Sequence, residues 1–426
     1  MSQAGEQSPD YPVDETFDPL DPDYLADPYP YYARFRKEAP IFYAPKIDFW
    51  VVSRYDDIQR IVKDPQTFSN ARVQEPLYGI TPEALEKLKA GVRVTPTTST
   101  ADPPLHQRTR KHAARAFSAK RVAGLEGRIR EVANGLIDDM ISEGCADLVD
   151  RFAFPLPAYV VFGLIGYPEK DAEILKGWCS DRLKLTWGRP LPEEQLETVE
   201  KMSSFFEYIE GFVHGRAEDL RDDYTSDLLR IRAEDEDNLS LEEVVSIDYS
   251  LSFAGHETTT NLILNGLRQL LSRPGLWEEL REEPGLIENA VEETLRRDTS
   301  VVSWRRSTTR SVEVAGAEVP ENARLMLLLA SANRDEGVFD DPDEFDIRRE
   351  NASKHLAFSH GIHFCLGAPL ARLEARIAFE LLTQRLPDLE LSPPDQSFEF
   401  DPNMSFRGPK ELWAEWTPSG ATAGLS

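Results

Sequence analysis

A cysteine set among glycines, near the C-terminal end of the chain, is the residue best placed for chemistry. Cys365 lies in the stretch FSHGIHFCLGAPLAR, between Gly361 and Gly367 and two residues after His363. The apolar spacing that follows predicts a helix over 368–386. The thiol would then lie at or just before a helix N-terminus, where free N–H groups favour an anion and lower a cysteine pKa. Three roles stay open: a nucleophile with His363 as its base, a thiolate metal ligand, or a buried and inert thiol.

A second stretch brings small residues, an acid and an alcohol together. In FAGHETTTN, Ala254 and Gly255 precede Thr258 by one turn, so the three share a helix face and leave space for a flat cofactor or a ligand. The Thr258 hydroxyl can bond back to the Ala254 carbonyl and bend the helix. Glu257 and Thr258 together could hold and relay protons. An ordinary helix with an exposed acid and core-packed threonines would have the same sequence.

Two further pairs of residues have helical spacing. One pair is basic, and the other joins an acid with a base. His106 and Arg110 lie four apart in DPPLHQRTRKH, on one face of a starting helix, where they could bind an anion. Glu293 and Arg296 lie three apart in VEETLRRD, which as an exposed ion pair would contribute only a few tenths of a kcal/mol, about 0.2–0.5. Each pair alone is compatible with an unremarkable helix surface.

The elements that must position these residues are mostly helical. The segment 41–53 is rich in aromatic and β-branched residues and predicts strands, whereas helical spacing dominates over 105–295. The segment 241–271 predicts one unusually long core helix, and strand patterns return over 312–331. No composition shift marks a boundary, so we expect a mainly α fold with a minor β portion, forming one large domain over 21–416. The ends, 1–20 and 417–426, are expected to be disordered.

Composition limits the partners. The 426 residues are 41% hydrophobic and carry a formal net charge of −27, which disfavours nucleic acid and anionic membrane surfaces. No apolar run reaches the length of a membrane span, and the acidic N-terminus lacks a signal segment. Three widely spaced cysteines argue against a disulfide framework and suit a reducing, cytoplasmic location.

The spacing around the thiol resembles that of a known family. Phe358, Gly361, His363, Cys365 and Gly367 match F-x-x-G-x-H-x-C-x-G, the haem-binding loop of the cytochrome P450 family, and CLGAPLAR is similar to its soluble bacterial members. The resemblance covers nearly the whole chain. It implies the P450 fold, with one haem b held between the long central helix and the cysteine-loop helix, and Cys365 as the axial iron ligand. The family usually has glycine where this chain has serine, directly after Phe358, which predicts a local turn adjustment without loss of haem.

The resemblance also implies roles for residues outside the loop. Haem propionates would be bound by His106, Arg110, Arg306 and His363, with Arg305 as a less expected substitute for Arg306. Ala254 and Gly255 would face the cofactor, and Thr258 with Glu257 would deliver protons to bound dioxygen. Glu293 and Arg296 would form a structural triad with Arg349, or less readily with Arg348.

As a family member, the chain would be a monooxygenase that inserts one oxygen atom of O2 into a mid-sized, mostly apolar organic molecule with some polar handles. Substrate contacts would come from segments 68–100, 178–187, 301–303 and 404–406 and from the residues before Ala254. Atypical outcomes (oxidative coupling, demethylation, peroxygenase chemistry) and a non-catalytic haem-thiolate sensor are the alternatives.

Electrons would come from a separate ferredoxin or flavodoxin with an NAD(P)H-dependent reductase, because no segment resembles a flavin, nicotinamide or iron–sulfur domain. An acidic ferredoxin would need a basic docking patch on this acidic chain, for which Arg108, Lys111, Arg115 and Arg372 are the candidates. The expected state is a monomer.

Overall fold

A computed structural model describes residues 11–234 and 239–418 of the chain. Its helices are α1 Pro22–Ala26, α2 Tyr29–Glu38, α3 Tyr55–Lys63, α4 Pro82–Gly91, α5 Leu105–Ala116, α6 Ala119–Gly124, α7 Glu126–Met140, α8 Pro155–Ile165, α9 Ala172–Trp187, α10 Pro192–Glu218, α11 Tyr224–Glu234, α12 Leu241–Ala254, α13 Glu257–Leu271, α14 Leu276–Glu282, α15 Ile287–Arg297, α16 Leu329–Ala332 and α17 Ala368–Arg385. Its strands are β1 Ile41–Ala44, β2 Phe49–Val52, β3 Phe68–Ser69, β4 Cys145–Asp147, β5 Trp304–Thr308, β6 Val312–Val314, β7 Ala317–Val319, β8 Arg324–Leu327, β9 Glu390–Leu391 and β10 Trp413–Glu415. The predicted mainly helical architecture with a minor β portion is confirmed.

The main sheet has the strand order β1-β2-β8-β5-β3, and two small sheets, β4-β10-β9 and β6-β7, lie outside it. Within the main sheet β2 runs parallel to β8, and β5 runs antiparallel to β8. This register places Arg305 opposite Met326 and Arg306 opposite Leu325. Since successive side chains of a strand point to opposite faces, Arg305 and Arg306 enter different surroundings.

The central helical segment differs from its prediction as one continuous helix over 241–271. The structure has two helices, α12 ending at Ala254 and α13 beginning at Glu257. The Thr258 hydroxyl donates to the Ala254 carbonyl at 2.9 Å, as expected, and the helix is interrupted in the two residues between α12 and α13. The prediction of a bend was therefore right, and that of continuity was wrong.

Helix α13 packs closely against the helix that follows the cysteine. A side chain at Gly266 would overlap the ring of Phe379, so glycine at this position lets α13 approach α17. Both helices bury apolar residues in the largest core cluster of the described chain, which includes Leu262, Leu382 and Ile377. This packing fixes the position of the cysteine loop relative to the α12–α13 junction.

The predicted N-terminal disordered segment is partly contradicted. Residues 1–10 lie outside the described residues, but Phe17 is buried and packs edge-on against Tyr24, Phe35 and Phe42. The residues from 11 to 20 therefore belong to the packed domain, because an aromatic anchor holds them. At the other end, the Thr417 N–H donates to the Asp388 carboxylate, and residues 419–426 lie outside the described range.

Within the described residues, no helix combines the length and the apolar composition needed to cross a bilayer.

Candidate functional site

The cysteine loop is a tight turn that only certain backbones can follow. Gly361 has φ +70°, and a Cβ there would lie 2.7 Å from the Val62 carbonyl oxygen, so both conformation and space require glycine. Ser359 also lies in the left-handed region, at φ +60°. Serine here adopts the backbone that suits glycine, and the local turn adjustment expected at this position stays a prediction. The loop closes where the Cys365 N–H donates to the Phe358 carbonyl at 2.9 Å.

The side chain of Cys365 is exposed to solvent, although protein atoms surround the thiol closely. Burial raises its pKa, and the N–H groups of Gly367 and Ala368 with the guanidinium groups of Arg110 and Arg372 only partly offset this effect. The expectation of a lowered cysteine pKa at the helix start is therefore wrong for the chain by itself. A bound metal cation would reverse the balance, because coordination deprotonates a thiol outright.

His363 does not form a nucleophile pair with the thiol. Its Nδ1 contacts the Thr98 carbonyl oxygen at 3.1 Å, and among the described residues its Nε2 has no partner. Burial, followed by the nearby Arg306 and His106, lowers the pKa of His363 to about 3. A neutral imidazole that lies beside cationic groups is poorly suited to activate Cys365. The structure therefore does not support the interpretation of Cys365 as a nucleophile with His363 as its base.

The predicted propionate ligands form one cationic cluster, defined by His106, Arg110, Arg306 and His363. The two imidazole rings lie 4.3 Å apart, and neither ring nitrogen of the buried His106 has a partner among the described residues. Arg110 donates to the Phe364 carbonyl at 2.6 Å and Arg306 to the Arg305 carbonyl at 2.7 Å.

No carboxylate of the described residues lies within ion-pair distance of this cationic cluster. Burial lowers the pKa of Arg306 to about 10, and the nearby Asp102 offsets this only in part. Buried cations and unpartnered imidazole nitrogens at one place are what a dianionic cofactor would satisfy. The residues present therefore fit the two propionates of haem.

The α12–α13 junction presents an open face. Ala254 is exposed although its neighbour Phe253 is buried, and Thr258 is half-buried. The predicted role of Gly255 in the cofactor surface is not supported, because a Cβ there would lie 2.6 Å from Cγ2 of Val161 on α8. Gly255 instead allows α8 to approach the junction, and of the two small residues Ala254 alone opens the face.

Glu257 is buried and does not point to its neighbour Thr258. Its Oε1 accepts a hydrogen bond from Ser180 Oγ at 2.9 Å, which links α13 to α9. Burial raises the pKa of Glu257 to about 7, the Ser180 hydrogen bond opposes the rise, and Asp401 adds to it. A carboxyl with this pKa can give and take protons near neutral pH. Sequence reasoning missed Ser180, which only tertiary contact brings to the site.

The predicted structural triad is formed. Arg296 donates from Nε and Nη2 to both oxygens of Glu293, at 2.7 and 2.8 Å, and Arg349 Nε donates to the same carboxylate at 3.2 Å. Glu293 and Arg296 are fully buried. The alternative, Arg348, is half exposed and pairs with Glu279 and Glu283 on the surface.

The proposed basic docking patch is largely neutralised. Arg108 pairs with Glu243, Arg115 with Glu234, and Arg372 with Glu292. Arg372 also lies over the Phe358 ring, at 4.7 Å from its centroid, so it supports the cysteine loop. Three of the four candidates are thus paired with glutamates that are distant in sequence, and the docking of a redox partner at this surface, which also includes Lys111, stays a prediction.

The segments expected to contact substrate meet in space. Trp187 stacks on Phe253 with ring centroids 5.3 Å apart, and Phe406 packs edge-on against Trp187 at 5.1 Å. The Ser303 hydroxyl donates to the Met404 carbonyl at 2.6 Å. Two buried arginines, Arg182 and Arg305, lie beside these rings. Sequence reasoning gave Arg182 no role and considered Arg305 only as a substitute for Arg306 at the propionates.

Comparison with known proteins agrees with this geometry. The family model described as Cytochrome P450 matches residues 31–411. Cytochrome P450 monooxygenase PikC of Streptomyces venezuelae is 38% identical over 403 residues, which are 93% of each chain. The structure of cytochrome P450 CREJ in complex with (4-ethylphenyl) dihydrogen phosphate matches with a TM-score of 0.91 and 35% identity, covering 95% of this chain and all of that one. An intact type IV self-sufficient P450 monooxygenase matches with a TM-score of 0.91 and 36% identity, covering 95% of this chain and 53% of its own. On sequence and structure alike, the chain belongs to the cytochrome P450 family.

Proposed function

We propose that this P450 monooxygenase holds haem b through the Cys365 thiolate and oxidises a mid-sized, mostly apolar organic molecule that carries a polar handle. Haem supplies the binding and activation of dioxygen. The observation that carries the residue assignment is the cysteine loop, in which the N–H groups of Gly367 and Ala368 point at a thiol that has no hydrogen bond to a basic side chain among the described residues. Such donors stabilise a thiolate ligand and set its electron density.

The cationic cluster would bind the propionates. Arg110 and Arg306 match the two negative charges, while His106 and His363 offer nitrogens that have no partner among the described residues. A carboxylate near His363 would offset the cationic neighbours that lower its pKa, so the imidazole could then donate from both nitrogens. The cluster would thereby orient the cofactor over the cysteine loop.

Protons would reach the site from two sides of the α12–α13 junction. The Thr258 hydroxyl lies at the open face, where it could hold an oxygen species in place. The Glu257 carboxyl, bonded to Ser180, would supply protons from behind it. The side chains of Thr258 and Glu257 bond to different partners and not to each other, which supports separate roles for them.

The substrate would lie against the aromatic residues near Ala254, at the meeting point of the five predicted contact segments. The structural neighbour CREJ binds an alkylphenyl phosphate, which has the same combination of an apolar body and a polar handle. Aromatic rings supply large apolar contact area at fixed geometry, which suits such a body.

Electrons would come from a separate ferredoxin or flavodoxin with an NAD(P)H-dependent reductase. The self-sufficient neighbour is matched over only 53% of its own chain, so it carries further sequence beside this fold, and reconstitution with separate proteins is the direct test for the present chain. We further propose a cytoplasmic monomer. Its packed domain would extend from about residue 11 to about residue 418, not over 21–416 as the sequence suggested.

The test is the absorption spectrum of the purified, haem-loaded ferrous protein under carbon monoxide. Wild type should show the strongly red-shifted Soret band of thiolate ligation, and Cys365→Ser should lose it. Cys145→Ser, an exposed cysteine in β4, is the matched control and should keep the band. A histidine-like band in wild type, or a red-shifted band in Cys365→Ser, would contradict the assignment.

A further inference from the structure

Two guanidinium groups near the proposed substrate position are buried without a carboxylate partner. Arg182 on α9 and Arg305 on β5 are each 3% exposed. Among residues 11–234 and 239–418, no Asp or Glu oxygen lies within 4 Å of either group. A buried charge without an opposite charge is costly, so it needs a reason.

Neutral groups of one loop hold both arginines in place. Arg182 Nη2 donates to Gln74 Oε1 at 2.9 Å, and Arg305 donates to the carbonyl of the next residue, Glu75. A second carbonyl accepts from each guanidinium, that of Tyr249 from Arg182 and that of Thr186 from Arg305, both at 3.4 Å. A guanidinium has five N–H donors, so these contacts leave donors on each group for a ligand.

The two arginines lie at the ends of an aromatic stack. The Arg182 guanidinium is 4.8 Å from the Phe253 ring centroid, and the Arg305 guanidinium is 5.7 Å from that of Trp187. Phe253 and Trp187 stack on each other with an angle of 6° between their planes. Phe253 directly precedes Ala254, whose exposed face lies at the helix junction. Phe253 and Trp187 are themselves 5% and 1% exposed, so the two cations lie in a buried layer next to the exposed Ala254, where we place the substrate.

Haem does not account for these charges. Its two propionates are matched by Arg110 and Arg306 of the cationic cluster. Arg305 points to the opposite side of β5 from Arg306. Burial and the nearby Arg324 lower the pKa of Arg305, and Glu75 opposes them, so its charged neighbours differ from those of the cationic cluster. The nearby Glu75 carboxylate is itself paired with the exposed Arg72.

We propose that Arg182 and Arg305 bind an oxyanion of the substrate, a carboxylate or a phosphate monoester, while its aromatic or apolar body lies against Trp187 and Phe253. This inference rests on the proposed function and names the chemistry of its polar handle. Arginine suits this role, because its planar donors match both kinds of oxyanion. The neutral loop contacts position the guanidinium groups before the ligand arrives, which reduces the entropy lost on binding.

The test compares matched anionic and neutral ligands on the haem-loaded protein. The probes are 4-ethylphenyl phosphate and 4-ethylbenzoate as anions, with 4-ethylphenol and methyl 4-ethylbenzoate as their neutral counterparts. Titration calorimetry gives the dissociation constants, and the change in the Soret band reports whether each probe reaches the haem. Wild type should bind at least one anion about 10-fold or more tightly than its neutral counterpart. The tighter of the two anions identifies the kind of oxyanion.

Substitutions test whether the two arginines cause this preference for anionic probes. Arg182→Gln and Arg305→Gln should each weaken the preferred anion by about 10-fold and leave the neutral probes within about 2-fold. Arg72→Gln removes one positive charge from the same loop at the surface and should change neither class of probe. Equal binding of anions and neutral probes by wild type would overturn the proposal, as would an equal loss in Arg72→Gln.

A folding defect in a glutamine variant leaves the proposal testable. Arg182→Lys and Arg305→Lys keep the charge and lose the planar donor geometry, so they should retain haem and part of the anion preference. An undiminished preference in both glutamine variants would assign the arginines a purely structural role. Failure of the proposed function is distinguishable, because it would show as a missing red-shifted band under carbon monoxide before any probe is added.

Discussion

Buried charges are balanced behind the cysteine loop and unbalanced around the α12–α13 junction. Behind the loop, Glu293 is bound by Arg296 and Arg349. Near the junction, Asp248 and Glu257 are buried, and among the described residues they have hydroxyl partners but no cationic partner. The comparison separates buried charges that are paired within the protein from buried groups that we propose to exchange a proton or to bind a ligand.

A second ion-pair network also lies behind the cysteine loop, on the side where buried charges are balanced (the balanced side). Glu292 pairs with Arg372 and lies 3.3 Å from His355, and although burial opposes it, these two partners lower the pKa of Glu292 to about 2. Both His355 and Arg372 contact the Phe358 ring, so the network supports the cysteine loop directly. Glu374 on α17 is the exception on this side. It is fully buried without a partner among the described residues, and burial raises its pKa well above its usual range.

The largest expected effect comes from breaking the balanced side. Glu293→Gln removes the negative charge between two arginines and should lower the free energy of unfolding by about 3–5 kcal/mol, because it leaves buried cations unpaired. Urea unfolding of the haem-loaded protein, together with its haem content, measures the loss. Arg348→Gln is the control, since this exposed arginine pairs only at the surface and should change stability by less than about 1 kcal/mol. Equal effects of the two substitutions would remove the distinction between the networks.

The next effect concerns proton supply at the unbalanced side. Because only the protonated carboxyl can donate, and the pKa of Glu257 is raised to about 7, wild-type turnover should fall as pH rises through about 7. Glu257→Gln should reduce turnover by about 10²-fold and flatten this profile. The rate of product formation across the pH range, measured in reconstituted turnover, tests both statements.

Ser180→Ala sharpens the assignment of this profile. The Ser180 hydroxyl lowers the Glu257 pKa by stabilising the charged form, so its removal should move the fall in turnover to higher pH. A pH profile that Glu257→Gln leaves unchanged would show that another group donates the proton.

A further effect is a pH-dependent change in stability at Asp248. Burial raises the pKa of Asp248 to about 8, with the Thr225 hydrogen bond opposing, whereas the unfolded group titrates near 4. The folded state therefore binds the extra proton between these values, and wild type loses stability as pH rises from about 4 to about 8.

Asp248→Asn, which remains neutral, should match wild type near pH 4 and become the more stable protein by pH 8. Thermal unfolding across this range measures the difference. A constant difference at all pH values would mean that Asp248 is already ionised in the folded protein across this range.

Local sequence patterns identified the family, the cysteine loop and the mainly helical architecture with a minor β portion. The spacing from Phe358 to Gly367 specifies a turn whose backbone only a few residues can follow, and Gly361 shows why. Helical spacing likewise placed Glu293 beside Arg296, because residues three apart on a helix meet through local geometry. Such features need no knowledge of the rest of the chain.

Tertiary structure decided which polar groups have partners. Arg108, Arg115 and Arg372 read as a basic surface in the sequence, and each is paired with a glutamate more than 75 positions away. Gly255, predicted to open the cofactor face, instead lets α8 approach. The side-chain environment is a sum over distant segments, so one stretch of sequence cannot specify it.

Which buried charges have partners could therefore not be predicted from the sequence. Sequence alone established that a thiolate loop, an acid–alcohol pair and several arginines were present in the order the family requires. Only packing determined that Glu293 receives two cations while Arg182 and Arg305 receive no carboxylate among the described residues. The physical reason is that burial acts on every charge alike, and its cost depends on what the fold brings within a few ångströms.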